Sequence, residues 1–387
     1  MQNAKTDRRG IIYRVLTLIS VVLIGLAFVS PGWWVSLTAP NYPEATFPQG
    51  IRILFHMDSV QNGCSIRESD EVVETEALDC VHEMDTINHY VGMYPIASGG
   101  PVEKAFSPFL FAMLAVMLLV FAAPGRKGRI IVSVVGYGAL ATWMTMALYG
   151  ENGAKLHTTN YLSGMVVSLG QEGSSSNLSG IVAILQDSLN ESEATTTVEE
   201  VDEKQEYLDT LRKAYQLDDL KRPADEREEW NGSLMQVFKW HYSKSLGRWF
   251  NDPARNDPLV QTMDGVAQVL YAIIMALMVL MVFAAWSVRS IFHWILVLAP
   301  MALPIGFLAE YAGWLWWYGH TLNSMGAFTL KPFMPTVFGD GKVAQFATHS
   351  YPAAGFGFMV ASSAVLLFAA LIRLKQVRLA GDAAARM

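Results

Sequence analysis

Soft and imidazole ligands concentrate in one stretch of this chain. His56-Met57-Asp58 comes first and Cys64 follows. A tight run, Cys80-Val81-His82-Glu83-Met84-Asp85, then leads into Asn88-His89-Tyr90-Val91-Gly92-Met93. Thiolate, thioether and imidazole donors suit copper better than magnesium or calcium, which prefer oxygen. If the segment is extended, Cys80, His82 and Met84 share one face. If it is helical, Cys80 and Met84 converge instead, with His56 reaching them from a neighbouring strand. His89 and Met93 stand at the helical spacing that puts two side chains on one face. His320, Met325 and His349 lie on the same side of the chain's spans and could complete a site. The expected copper ligands are therefore drawn from His56, Met57, His82, Met84, His89, Met93, His320 and His349. The competing account is a disulfide between Cys64 and Cys80, beside His and Met residues that only pack. An oxidising compartment favours the disulfide over a thiolate pair. The two accounts are compatible, and most of the 19 methionines serve span packing.

These residues must be positioned by membrane elements. The chain has 387 residues, 52% hydrophobic and 16% charged, against about 25% charged in an ordinary soluble domain. Six segments are long and apolar enough to cross a bilayer: 11–30, 106–123, 130–149, 265–286, 290–312 and 354–373. The first is too long for a signal-peptide core, and Pro31-Gly32-Trp33-Trp34 is no small-residue cleavage site, so it reads as an uncleaved span. The fourth and fifth, parted by Ser287-Val288-Arg289, read as a tight helical hairpin.

Basic residues set the orientation. Lys5, Arg8, Arg9, Arg14, Arg126, Lys127, Arg129, Arg289, Arg373, Lys375, Arg378 and Arg386 all fall on one side of a six-span chain. That side is cytoplasmic and holds both termini. The opposite side carries segment 31–105, with 3 Lys+Arg against 11 Asp+Glu, and segment 150–264, with 11 against 20. The expected fold is an all-α membrane protein with six transmembrane helices and two extracytoplasmic regions. Its divisions are 1–30, 31–105, 106–149, 150–264, 265–312, 313–353 and 354–387. Within 31–105, residues 51–56 alternate as a strand and Glu68 to Asp79 reads as a solvated loop or short helix. Within 150–264, two amphipathic helices are expected. One carries Val198, Val201, Leu208, Leu211 and Tyr215, the other Trp230, Leu234, Val237 and His241. A linker at 170–177 precedes them, and the region reads as a helical cap. Segment 313–353 opens on an aromatic belt.

The formal net charge of -7, with no broad basic stretch, argues against nucleic acid. Gly-rich phosphate loops, haem-attachment motifs, nucleophile elbows and His-Glu-x-x-His are absent from the sequence, so no enzyme class is indicated. Asn177, Asn190 and Asn231 sit in Asn-x-Ser sequons without meaning in a bacterial chain. Glu310, placed one turn from the outer end of span five, is a functional candidate as an acid near membrane depth. The alternative is an interfacial Glu that reaches water or pairs with a basic neighbour. His293 reads as structural.

Two stretches carry a resemblance. Asn88-His89-Tyr90-Val91-Gly92-Met93-Tyr94-Pro95-Ile96 is one. The other runs through Tyr318-Gly319-His320, Lys331-Pro332-Phe333-Met334-Pro335 and Gln345-Phe346-Ala347-Thr348-His349-Ser350-Tyr351-Pro352. Both resemble signatures of multi-span bacterial membrane proteins encoded with nitrous oxide reductase and other copper-enzyme maturation genes. The resemblance covers about a quarter of the chain and leaves 150–264 unmatched. It implies an inner-membrane accessory protein that holds or passes copper on the periplasmic side. The acidic face would then meet a periplasmic or membrane copper protein. The alternative is a non-catalytic structural subunit of a larger membrane redox or oxygenase complex.

Overall fold

The structure, a computed structural model, describes residues 2–65, 78–170, 203–288, 290–328, 330–343 and 345–385. Most of the expected acidic loop at 68–79, nearly all of the linker at 170–177, and Val198, Val201, Asn177, Asn190, Arg289 and Arg386 lie outside the described residues. The described residues are mostly helical, at 67%. Among the described residues, five helices are long and apolar enough to cross a membrane, or six if a bent pair counts as one span. Helix α1 (Gln2–Val29) leads to strands β1 (Trp33–Thr38), β2 (Ile51–Phe55) and β3 (Val60–Asn62), then helix α2 (Cys80–Tyr90). Helices α3 (Pro101–Ala122) and α4 (Gly125–Tyr149) form a hairpin. Next come α5 (Thr159–Gly170), α6 (Glu203–Asp219), α7 (Leu234–Gly247) and the long α8 (Pro253–Ala284). The bent pair α9 (Ile291–Met301) and α10 (Leu303–His320) precedes β4 (Gly339–Val343), β5 (Phe346–Pro352) and α11 (Ala354–Ala385).

The spans leave apolar side chains such as Val22, Ile131, Val279 and Phe368 uncovered. An uncovered apolar surface of that extent fits contact with lipid. The fifth expected span is not one straight helix. It bends by 57° between Met301 and Leu303. Pro300 and Pro304 cause this, since each lacks an N–H and its ring presses on a carbonyl one turn back. Ser363 of α11 donates to the Met301 carbonyl at 2.8 Å, so the break leaves that group satisfied.

The single strand expected at 51–56 belongs to a five-stranded antiparallel sheet of order β3-β2-β1-β5-β4. The mostly helical fold therefore includes a sheet whose strands, three to seven residues long, come from the neighbouring segment 33–62 and the distant segment 339–352. Segment 313–353 supplies two of them, and its β5 pairs with β1. Both central strands run straight into spans. Gly355 N–H donates to the Pro31 carbonyl and Ala353 N–H to Gly32. At this junction Trp33 is buried among Phe307, Tyr311 and Phe356, and its indole N–H donates to Ser350 at 2.9 Å. Helix α1 packs along α11, so the sheet stands on two helices without a flexible linker.

On one sheet face Val35, Leu37, Ile51 and Ile53 meet Cys80, Met84 and Ile87 of α2. Helix α6 begins at Glu203 and buries Leu208, Leu211 and Tyr215. Helix α7 starts later than the sequence suggests, so Trp230 precedes it. Gly232 takes φ +66° and Ser233 caps the helix by accepting from Gln236 N–H. The two regions expected as separate pack together: Tyr94 donates to Asn256 at 3.0 Å, and Asn256 donates to the Phe250 carbonyl at 2.8 Å.

Candidate functional site

Cys64 and Cys80 are joined by a disulfide that ties the end of β3 to the first residue of α2. Asn62 reinforces the joint by accepting from both cysteine N–H groups. Asp79 caps α2 by accepting from Val81 and His82 N–H at 3.0 Å each. Because 80–90 is helical, Cys80, Met84 and Ile87 turn to the core. His82, Asp85 and His89 share the flank toward Arg248 and Trp249. The helix stops at Tyr90 and Gly92 takes φ +82°. That reversal removes the helix-face pairing expected for His89 and Met93, and Met93 joins the core. A side chain at Gly92 would meet the Asn323 carbonyl at 2.6 Å, so glycine is required twice over.

The remaining candidate ligands also go separate ways. His82 Nδ1 lies 3.0 Å from an Arg248 nitrogen. His89 stacks on Trp249 with centroids 4.9 Å apart, and its Nδ1 is buried without a partner. Burial lowers the His89 pKa. His320 stacks on Trp316 and bonds that residue's carbonyl at 2.8 Å. His349 meets Asp340 at 2.7 Å on the sheet face opposite Met84. Among the described residues no group of three or more His, Cys, Asp or Glu could hold a metal ion. His82, His89, His320 and His349 each pair with a different neighbour on separate parts of the fold.

Beside α2 sits a buried ion pair that sequence reasoning missed. Asp85 is fully buried, meets Arg248 at 3.5 Å and accepts from Ile96 N–H at 2.7 Å. Burial pushes its carboxyl up to about 7, against the pull of the Arg248 guanidinium.

The most open chemistry lies where the sheet meets the spans. A cavity of about 260 Å³ is bounded by the β2–β3 turn, α3 and α10. Aromatic rings of Phe55, Phe111, Phe307, Tyr311, Trp314 and Tyr318 wall it, and His56, Glu103, Lys104 and Glu310 supply its polar groups. Glu310 is not near a helix end, because α10 continues to His320. The two carboxylates converge around Gly100. A Cβ built there would stand 3.6 Å from Glu310 Oε1 and 3.8 Å from both Glu103 Oε2 and Trp314 Nε1. Gly100 has φ +57°, which lets the chain turn into α3 without filling that space. Trp314 donates to Glu103 Oε1 at 3.2 Å, and Lys104 donates to the Ala97 carbonyl. Glu103 Oε2 and His56 Nδ1 are buried without a hydrogen-bond partner. Burial lowers the pKa of His56, so its ring is neutral at pH 7. The sequence signal for Glu103 and Lys104 was their place just before the apolar run, but a span begun at 106 leaves both outside it.

A polar seam adjoins the cavity. Thr158 donates to buried Asp58 at 2.6 Å, and His157 Nε2 meets the Ala105 carbonyl at 3.1 Å. His241 Nε2 lies 2.6 Å from Ser168 Oγ. Burial pulls His157 down to about 3 and His241 to about 4, so both are neutral struts. Comparison with protein-family models, curated proteins and solved structures finds no match to this chain.

Proposed function

We propose that this protein is a non-catalytic accessory subunit of a larger assembly in a bacterial inner membrane, with the sheet and its covering helices on the periplasmic side. The observation that carries this reading is an apolar patch outside the spans. Tyr90, Met325 and Phe328 are 49%, 51% and 62% exposed. Tyr90 and Phe328 form one surface, because Phe328 N–H donates to the Tyr90 carbonyl and the two rings stand 6.3 Å apart. Clustered exposed apolar groups of this kind mark protein interfaces. The occupant is another subunit of the membrane assembly, held against a head that its two supporting helices keep rigid.

Orientation follows from charge. Arg14, Arg126, Lys127, Arg129, Arg373, Lys375 and Arg378 gather at the end that holds both termini. Arg126 lies over Trp286, Arg129 bonds the Ala285 carbonyl and Arg373 lies over Tyr13. Basic residues of short connections stay in the cytoplasm. A periplasm-dependent reporter fused after Gly150 or Asp340 is then active, and one fused after Gly128 is silent. The opposite pattern overturns the orientation.

The copper-handling reading competes on ligand types alone, without a shared coordination geometry to support it. One experiment separates the two. A photo-crosslinker at Phe328 in native membranes captures a membrane-embedded partner, and Phe328→Asp releases that partner while the spans stay folded. A protein that purifies alone, carrying stoichiometric copper lost on changing His82 and His89 to Ala, sinks the subunit reading in favour of copper handling.

A further inference from the structure

We propose that the cavity between α3, α10 and the β2–β3 turn binds the ring of a prenylated hydroquinone drawn from the bilayer. Its hydroxyls would donate to Glu103 and His56, and its tail would leave between α3 and α10. This inference does not depend on the subunit reading above, since it concerns a different surface.

Four observations converge. First, the size fits a single ring. The volume of about 260 Å³ lies just below the usual range for drug-sized ligands, roughly 300–1,000 Å³. A two-chain lipid with its headgroup would not fit inside. Second, the walls are flat and aromatic, which suits stacking on a ring. Third, the polar demand is for donors. Glu103 Oε2, an acceptor, is buried and unpaired, and so is His56 Nδ1, which accepts when the ring proton sits on Nε2. An unpaired buried acceptor costs free energy until a donor arrives. A hydroquinone brings two hydroxyl donors, whereas a quinone brings only acceptors.

Fourth, the charge balance selects a neutral head. Glu103 and Glu310 oppose the single Lys104, which is already turned to the Ala97 carbonyl. A phosphate head would add negative charge beside the acidic pair Glu103 and Glu310, with one lysine to offset it. Toward the membrane the lining becomes wholly apolar at Leu110, Phe111, Leu303 and Phe307. That end lies within two spans, so a tail can enter from lipid. No electron transfer is implied, and the ligand binds and leaves in the same redox state.

The test uses the full chain in detergent, with decylubiquinol under anaerobic reducing conditions, decylubiquinone, and a phosphatidylethanolamine as probes. Binding is read by equilibrium gel filtration. The expected result is one decylubiquinol per chain, bound at least ten-fold tighter than decylubiquinone, with no displacement by the phospholipid. Gly306 lines the cavity, and a Cβ there meets nothing within 4 Å. Gly306→Trp should therefore abolish binding with little change in melting temperature. Gly313 on the same helix has equally open space but does not line the cavity, so Gly313→Trp should bind as wild type does. Glu103→Gln should weaken decylubiquinol about ten-fold and decylubiquinone far less. Equal affinity for the two redox forms overturns the proposal, as does binding retained in Gly306→Trp or preferential uptake of phospholipid. Should Gly306→Trp fail to fold, the response of Glu103→Gln to the two redox forms decides alone.

Discussion

The sheet-and-α2 region and the cavity below it hold similar side chains in opposite conditions. Above, imidazoles and thioethers are absorbed by structure: Met84 and Met93 fill the core, His82 meets Arg248, His349 meets Asp340 and His89 stacks on Trp249. Below, a carboxylate oxygen and an imidazole nitrogen lack partners in residues that line a space large enough for a guest. Residue type made the upper region attractive, yet unspent hydrogen-bonding capacity together with room is what marks a binding site. The upper region also holds unpaired buried groups, among them Asn88 Nδ2, Trp249 Nε1 and His89 Nδ1, the last pressed beneath an indole.

If the upper region is a structural block, breaking its buried charges should cost most. Asp85→Ala removes the carboxylate that Arg248 meets at 3.5 Å, where both side chains are almost fully buried. The expected loss is about 3–5 kcal/mol, read as a large fall in melting temperature of the purified protein. A loss under about 1 kcal/mol, the size of an exposed pair, would show that water reaches this site.

Next in size is the disulfide, which closes a 16-residue separation. Cys64→Ser with Cys80→Ser should cost about 3 kcal/mol. Limited proteolysis should then cut first near β3 and α2. An unchanged pattern would mean that Asn62 and the core hold α2 without the bond.

The seam supplies a pH test. His157 binds its proton near pH 3 in the folded protein, against 6.5 for a free histidine. The unfolded chain therefore holds more protons between those values, and stability falls as pH drops below about 6.5. One such group contributes roughly 1.4 kcal/mol per pH unit. Asp85 works in the opposite sense, since its folded pKa is raised, so the whole-protein profile mixes both. The stability gap between wild type and His157→Asn isolates the first effect and should narrow from pH 7 to pH 4. A constant gap would show that His157 is not buried neutral.

The smallest expected effect separates packing from ligation in the upper region. His82→Ala with His89→Ala removes a stack on Trp249 and a contact to Arg248, and should cost about 1–2 kcal/mol. Mass spectrometry of the metal content should give the same value for wild type and variant. A stoichiometric metal lost in the variant would reverse the comparison and move the chemistry upward.

Apolar runs near 20 residues made the spans legible in the sequence, because bilayer thickness prescribes helix length. Alternation at Ile51, Ile53 and Phe55 revealed β2 for a similar local reason: a half-buried strand has a two-residue period. Long-range pairing has no such period. The partners of β1 lie on either side, with β5 more than 300 residues away, and only the packing of α1 on α11 brings those strands together. The bend at Pro300 and Pro304 was written in the sequence, yet hydropathy averaged across it. Ligand types in α2 were visible, but helix phase and the left-handed turn at Gly92 decided that they would not converge. Glu103, His56 and Glu310 lie in three separate segments; His56 and Glu310 stood out singly in the sequence, yet nothing there joined them to each other or to Glu103. The tertiary fold made them a site, because burial and proximity arise between segments and leave no local pattern in any one of them.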